Sequence, residues 1–166
     1  MVSFAGPWSR TEAETFLDAA VVPIRLACRT PAGGLWMLSL WYRYRDGRFE
    51  CATSADARIV RFLRADSEVC FEVSTNRPPY MGVRGAGEAR LVEEGAKDVL
   101  GDLIDRYLGT TDGEMAGWLL REEREEVAIE IEPTRLSTWD FTPRMREATE
   151  GAPPPRSAEP SSPKYD

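Results

Sequence analysis

Thr53, Ser54 and Arg58 come closest, by type and spacing, to a device that could do chemistry. The two hydroxyls fall where an apolar strand hands over to an amphipathic helix, and the arginine lies within one turn of that helix start. Unpaired amides and the helix dipole favour an anion there, and a guanidinium adds a fork, so the trio fits a single phosphate. A plainer reading stays open, in which Ser54 caps the helix while Arg58 and Arg61 are solvated. Gly82, Gly85 and Gly87 weaken a strand unless something approaches its backbone closely. A planar ligand, a second subunit or a bulge at a barrel corner would each account for them. Trp139, beside Asp140 and ahead of Arg144 and Arg146, is either a core aromatic or a cover for a bound ring. No residue stands out as an obligatory general acid or base. Tyr80 and Arg84 are the nearest candidates, and the catalytic residues stay unassigned.

Composition narrows the chemistry further. The chain has 166 residues, 42% of them hydrophobic, with a net charge of −7, three cysteines and no histidine. Without histidine there is no Ser-His-Asp or Cys-His catalysis, no His-ligated zinc and no proximal-His haem. Chemistry must come from a cofactor, from carboxylates, or from Arg, Lys, Tyr, Cys and Ser. Cys28, Cys51 and Cys70 are too few and too widely spaced for a metal knuckle, and no metal site is expected. All three read as buried free thiols, in keeping with a reducing cytoplasm. No signal peptide and no apolar run near the ~18 residues of a membrane span is seen, so neither export nor a membrane partner is expected. The acidic balance argues against nucleic acid, while arginines between Arg58 and Arg90 suit a small anion.

These residues need elements to position them. Capping boxes at Ser9–Glu12 and Thr11–Glu14 open a short helix. A strand runs from Val21 to Arg29, and Pro31–Gly34 forms a turn. Trp36 to Arg45 then alternates with a period of two, as a half-buried strand does. Asp46-Gly47 marks a hairpin, and Arg48–Thr53 returns. Ile59, Phe62 and Leu63 set a helix over 56–64, with Asp56 or Ser54 at its start. Val69–Val73 is a strand, Asn76–Pro79 a loop, and Val83–Val92 a long strand. A helix through Val99 and Leu108 ends at Gly109, and a third helix covers Glu114–Glu125, its glutamates solvated. Two strands close the body, Val127–Ile131 and, after Pro133, Leu136–Phe141. Residues 147–166 carry five of the twelve prolines and no Leu, Ile, Val or Phe, so a disordered tail is expected beyond a single domain at 1–146. The pattern predicts a mainly β (α+β) barrel of six to seven antiparallel strands with peripheral helices.

Taken in order, these segments resemble the pyridoxamine 5'-phosphate oxidase-like split-barrel flavoproteins over Val21 to Arg144. The resemblance rests on Leu38-Ser39-Leu40-Trp41, the Asp-Gly turn, Thr53-Ser54 and the helix Arg58–Asp66. It extends to Tyr80-Met81-Gly82-Val83-Arg84-Gly85 and to Pro133–Asp140, which is similar to the family's closing Pro-x-Arg-Leu-x-x-Trp-Asp. It implies a homodimer binding two FMN molecules in grooves between subunits and acting on a small molecule. The backbone of Leu38, Ser39, Leu40 and Trp41 would face the flavin ring. Thr53, Ser54 and the helix start at Arg58 and Ile59 would hold the phosphate, with Arg58 where the family has lysine. Tyr80, Met81, Gly82 and Val83 of the other subunit would line the groove, and Trp139 would cover the ring. Where the oxidases carry Arg-x-His, this chain has Arg144-Met145-Arg146, and Trp36 and Trp41 match their arginine and lysine. The resemblance therefore implies an FMN-dependent oxidoreductase whose substrate is not pyridoxamine phosphate. A deazaflavin-dependent reductase and a non-catalytic flavin binder are the alternatives.

Overall fold

Alternating apolar and polar residues build one eight-stranded sheet in the computed structural model, which describes residues 2–149. The strands are β1 (Ser3–Ala5), β2 (Ile24–Arg29), β3 (Leu35–Leu40), β4 (Arg43–Arg45), β5 (Arg48–Ser54), β6 (Glu68–Ser74), β7 (Met81–Val92) and β8 (Glu126–Asp140). Five helices accompany them: α1 (Arg10–Ala19), α2 (Arg58–Ala65), α3 (Ala96–Leu108), α4 (Glu114–Leu119) and α5 (Thr142–Thr149). Across the sheet the order is β3-β2-β6-β7-β8-β5-β4, antiparallel throughout, with β1 parallel beside β8. β3 and β4 lie at opposite edges of that order, yet only Trp41 and Tyr42 separate them in the chain. The sheet must therefore curl until those edges meet at one end, leaving the wall open beyond. This is the expected split barrel, with eight strands instead of six or seven.

The extra strands have physical reasons. β1 is three residues long, too short to show alternation. The expected Trp36–Arg45 strand changes partner midway, from β2 to β5, and so counts as β3 and β4. In the other direction, the two expected closing strands are one. Pro133 sits opposite Gly87 beside a register shift at Ala86/Gly87, between the stretches of β8 paired with β5 and with β1. A proline is tolerated at a bulge because no ladder donor is required of it there. The helix expected over Glu114–Glu125 stops at Leu119, so the glutamates that follow are not on a helix face. Glu122 and Glu126 would be a like-charge i, i+4 pair on such a helix. Glu126 instead joins β8, opposite Ser54. Strand β2 starts at Ile24, after Pro23, rather than at Val21. The expected end of the domain at Arg146 falls inside α5, and residues 150–166 of the expected tail lie outside the described residues.

The barrel interior is filled from both ends. Ile24, Leu26, Phe49, Phe71, Val83 and Ile131 point inward from the strands. Helix α2 closes one end with Ile59, Val60, Phe62 and Leu63, all buried. Helix α1 covers another side with Ala13 and Leu17, entered through a capping box at Ser9 and Glu12. Cys28 and Cys51 are buried as expected, and burial pushes both thiols up from their ordinary range. Cys70 corrects that expectation: it faces outward on β6 and is exposed. Among the described residues no helix is long and apolar enough to cross a membrane.

The crossing between the sheet edges is held by three side chains. Tyr42 is fully buried, and its hydroxyl proton is shared between the carbonyls of Leu17 and Ala20, at 2.8 and 3.1 Å. Arg106 Nη2 donates to the same two carbonyls at 3.2 and 3.0 Å. Tyr107 accepts from the Tyr42 amide at 3.2 Å, donates to the Val22 carbonyl at 2.8 Å, and stacks on Trp41 at 5.1 Å. Tyr42→Phe removes the hydroxyl but leaves Arg106 on both carbonyls. It is expected to lower unfolding stability by about 1–2 kcal/mol, read as a shifted denaturant midpoint; an unchanged midpoint would contradict this account.

Candidate functional site

The open wall collects most of the residues singled out by the sequence. Beyond the Arg43–Glu50 pair, the same register would oppose Trp41 to Ala52 and Ser39 to Ser54, but the ladder stops and the strands part. The result is a V with its vertex at Arg43 and Glu50, which also form an ion pair. Leu38, Ser39, Leu40 and Trp41 form one arm; Thr53 and Ser54 form the other. Leu38 and Leu40 pack their side chains on the core, so this arm offers its backbone and the Ser39 hydroxyl. Trp41 and Ala52 both lie against α3.

Arg58 and Ile59 open α2 directly after the second arm. Ala57, not Ser54 or Asp56, is the N-cap, and no side chain caps the helix. This corrects the capping half of the plainer reading, Ser54 as the cap, while its other half, a solvated Arg58, stays open. Arg58 is exposed, with no ion-pair or hydrogen-bond partner among the described residues. Ile59 is buried in the core, so its side chain is not available to a ligand. Strand alternation splits the two hydroxyls. Thr53 shares the interior face with Val127, while Ser54 shares the α3 face with Glu126. Glu126 is buried; one carboxylate oxygen accepts from Arg124 Nε at 2.7 Å and the other has no partner. An anion at α2 is therefore better placed on the Thr53 side, away from that carboxylate.

Tyr80, Met81, Gly82, Val83 and Trp139 form a second group, at the far end of β8. Gly82 pairs with Trp139, whereas Thr53 pairs with Val127. Twelve residues of β8 separate these pairings, roughly 40 Å of strand at ~3.3 Å per residue. One chain does not bring the two groups together. Val83 is a core residue. A Cβ on Gly82 would lie 2.4 Å from the Val73 carbonyl, and one on Gly87 2.3 Å from the Glu132 carbonyl, beside the bulge. Close strand packing and the bulge explain these glycines without a ligand. Trp139 points outward, with the Arg84 guanidinium 5.5 Å from its ring and its indole N–H buried without a partner. Next to it, burial disfavours the Asp140 charge, but hydrogen bonds from Thr142 and Trp8 hold the carboxyl below its ordinary range.

Between these groups the outer sheet face carries a trough that sequence reading missed. Cross-strand pairing lines up Ser39, Arg25, Glu72, Arg84, Ser137 and Ala5 in one row over six strands. The trough has a volume of about 790 Å³ and also includes Met37, Cys70 and Arg135. Alternation within β2, β6 and β7 was the only signal available, since it marks these residues as outward-facing but not as neighbours.

No protein family matches the chain by sequence profile, and no curated protein matches it by sequence. Solved structures do match. A conserved hypothetical protein from Mycobacterium tuberculosis superposes with a TM-score of 0.68 at 23% identity, covering 94% of this chain and 96% of that one. An F420 reductase gives 0.57 at 22% identity, covering 75% and 94%. A candidate pyridoxamine 5'-phosphate oxidase from Listeria innocua gives 0.59 at 13% identity, covering 80% and 97%. At these identities the likeness is one of fold, the pyridoxamine 5'-phosphate oxidase-like split barrel.

Gly82→Ala tests the packing explanation. It is expected to destabilise the chain by about 1–3 kcal/mol whether or not a flavin is added, measured by thermal unfolding. A loss confined to flavin affinity, with stability intact, would return Gly82 to the ligand.

Proposed function

We propose that the chain is an FMN-dependent oxidoreductase that works as a homodimer, with each flavin held between two subunits. The observation that carries this reading is the uncapped start of α2 with an unpaired Arg58, set across an open barrel wall from the Leu38–Trp41 backbone. In that arrangement the amides of Arg58 and Ile59, the Thr53 hydroxyl and the Arg58 fork hold the phosphate. Ser54 borders the same pocket from its α3 side. The β3 backbone lies along the ring, and its exposed amides and carbonyls suit the polar edge of a flavin. The separation of the Tyr80–Trp139 group from α2 within one chain supports the two-subunit arrangement. A second copy can bring its own Tyr80, Met81, Gly82, Val83 and Trp139 to the groove.

A bound flavin supplies the redox chemistry, and the protein contributes binding, orientation and exclusion of water. Arg84 lies over the Trp139 ring, and Tyr80, 41% exposed, leads into the strand paired with it. Neither has the second partner that a committed general acid or base requires, and solvent serves that role in this reading. A small molecule other than pyridoxamine phosphate is the substrate, since the chain has no histidine near Arg144 and Arg146. The likeness to an F420 reductase supports a second reading, a deazaflavin in the same groove.

Purified protein is expected to be yellow and to release FMN on denaturation. Arg58→Ala should weaken FMN binding by ~1.5–3 kcal/mol, the range of a hydrogen bond to a charged group, measured by flavin fluorescence titration. Unchanged affinity would exclude Arg58 as the grip. Thermal stabilisation by the deazaflavin and not by FMN would select the second reading. Sedimentation tests the dimer, and oxidation of a nicotinamide donor separates an enzyme from a flavin store.

A further inference from the structure

We propose that the cleft between the end of α1 and the β6–β7 turn binds a small, largely apolar molecule whose one oxygen acceptor meets Arg77. Calling that molecule the substrate rests on the flavin reading above; the cleft itself does not. In the two-subunit arrangement the second copy covers the outer-face trough, so the unpaired arginines there are subunit contacts. The cleft shares no residue with the trough and lies at the end of the sheet where β6 turns back into β7. Its volume is about 540 Å³, a size that suits a small organic molecule.

One wall is the end of α1, which offers Phe16, Ala19 and Ala20, with Val22 just beyond. The other is the turn, with Pro78, Pro79 and Met81. Both walls are fixed from behind. Tyr42 and Arg106 hold the Ala20 carbonyl at 3.1 and 3.0 Å, and Tyr107 holds the Val22 carbonyl at 2.8 Å. In the turn, Thr75 Oγ1 donates to the Pro79 carbonyl at 3.0 Å and accepts from the Met81 amide at 3.2 Å. Pro78 and Pro79 carry no amide proton, so this wall asks for few acceptors. Asn76 Oδ1 is taken by Arg25 Nη2 at 2.7 Å. Arg77 is the single charged residue of the lining, exposed and without an ion-pair partner among the described residues. An apolar body gains by leaving water for such a cleft, and no wall has to be rebuilt to admit it.

Met81 ties the cleft to the flavin reading. It lines the cleft, and it belongs to the group that one subunit lends to the other's groove. At this end the second copy therefore brings its open wall, which leaves the cleft facing the groove.

The test uses the full chain, with and without added FMN, and calorimetric titration of 2-naphthoate and gluconate. The two share a carboxylate and differ in the body, so 2-naphthoate should bind tighter by roughly tenfold or more. Ala19→Phe, at an exposed helix position, fills the cleft and should weaken 2-naphthoate by roughly tenfold or more, whereas Ala19→Ser should not. Arg77→Gln should weaken it about threefold, as expected of an exposed charge, and Arg121→Gln should leave it unchanged. With FMN bound, 2-naphthoate should perturb the flavin absorption spectrum. Equal binding of gluconate, or full affinity in Ala19→Phe, overturns the proposal. So does dissociation of a dimer by Ala19→Phe in sedimentation, which would make the cleft a subunit contact. Full affinity in Arg77→Gln overturns the acceptor contact, and an unperturbed flavin spectrum overturns the assignment of the occupant as substrate. Binding of 2-naphthoate without FMN binding upholds the cleft and removes the flavin reading; FMN binding without 2-naphthoate binding does the reverse.

Discussion

Two residues, Trp41 and Tyr42, carry the chain from one edge of the sheet to the other, and the barrel exists because they are held. A tyrosine buried this deeply must have its hydroxyl paired, because an unpaired one costs on the order of 1–3 kcal/mol. Burial also raises its pKa, so it stays a neutral donor. The partners it finds are the Leu17 and Ala20 carbonyls at the end of α1, which have no acceptor role left within the helix. Arg106 brings a cation to the same helix end, where the dipole favours one. Thus α1, α3 and the β3–β4 crossing are fastened at one point. The wall opens beyond it because nothing pairs the far parts of β3 and β5 there.

Much of this fold was legible in the sequence because it is local. The alternation of Trp36, Leu38, Leu40, Tyr42 and Tyr44, the Asp46-Gly47 turn and the Ile59, Phe62, Leu63 stripe each report their element within a few residues. What was illegible depends on distant partners. A change of ladder partner at Trp41 leaves no mark on the alternation. Pro133 reads as a break, and only its position between the β5 and β1 pairings lets the strand continue. The end of α4 was hidden as well, since glutamates favour helix locally while the Ser54 partner draws Glu126 into the sheet.

The candidate site divides along the same line. Thr53, Ser54 and Arg58 lie within six residues, so their meeting at the start of α2 could be read from order alone. That the two hydroxyls face opposite sides of β5 also follows from strand period, once the strand is known to reach Ser54. The row from Ser39 through Arg25, Glu72 and Arg84 to Ser137 draws on five separate strands. Nothing in the sequence brings those residues together before the register is known. The absence of histidine, by contrast, needed no structure: it removed whole classes of catalyst from the count of residue types alone.

β8 works as the ruler of the molecule. Its fifteen residues pair with β5 at one end and β1 at the other, while β7 runs along the whole opposite edge. Loops between other strands can lengthen without moving the barrel, but a residue added within β8 would turn every later side chain to the other face. Trp139 would then swing inward and Thr138 outward. The bulge at Ala86/Gly87 shows the one place where such a slip has been absorbed, on the partner strand and beside a proline. Variation among chains of this shape should therefore gather in the loops and at α4, while the count of residues from Glu126 to Trp139 stays constant.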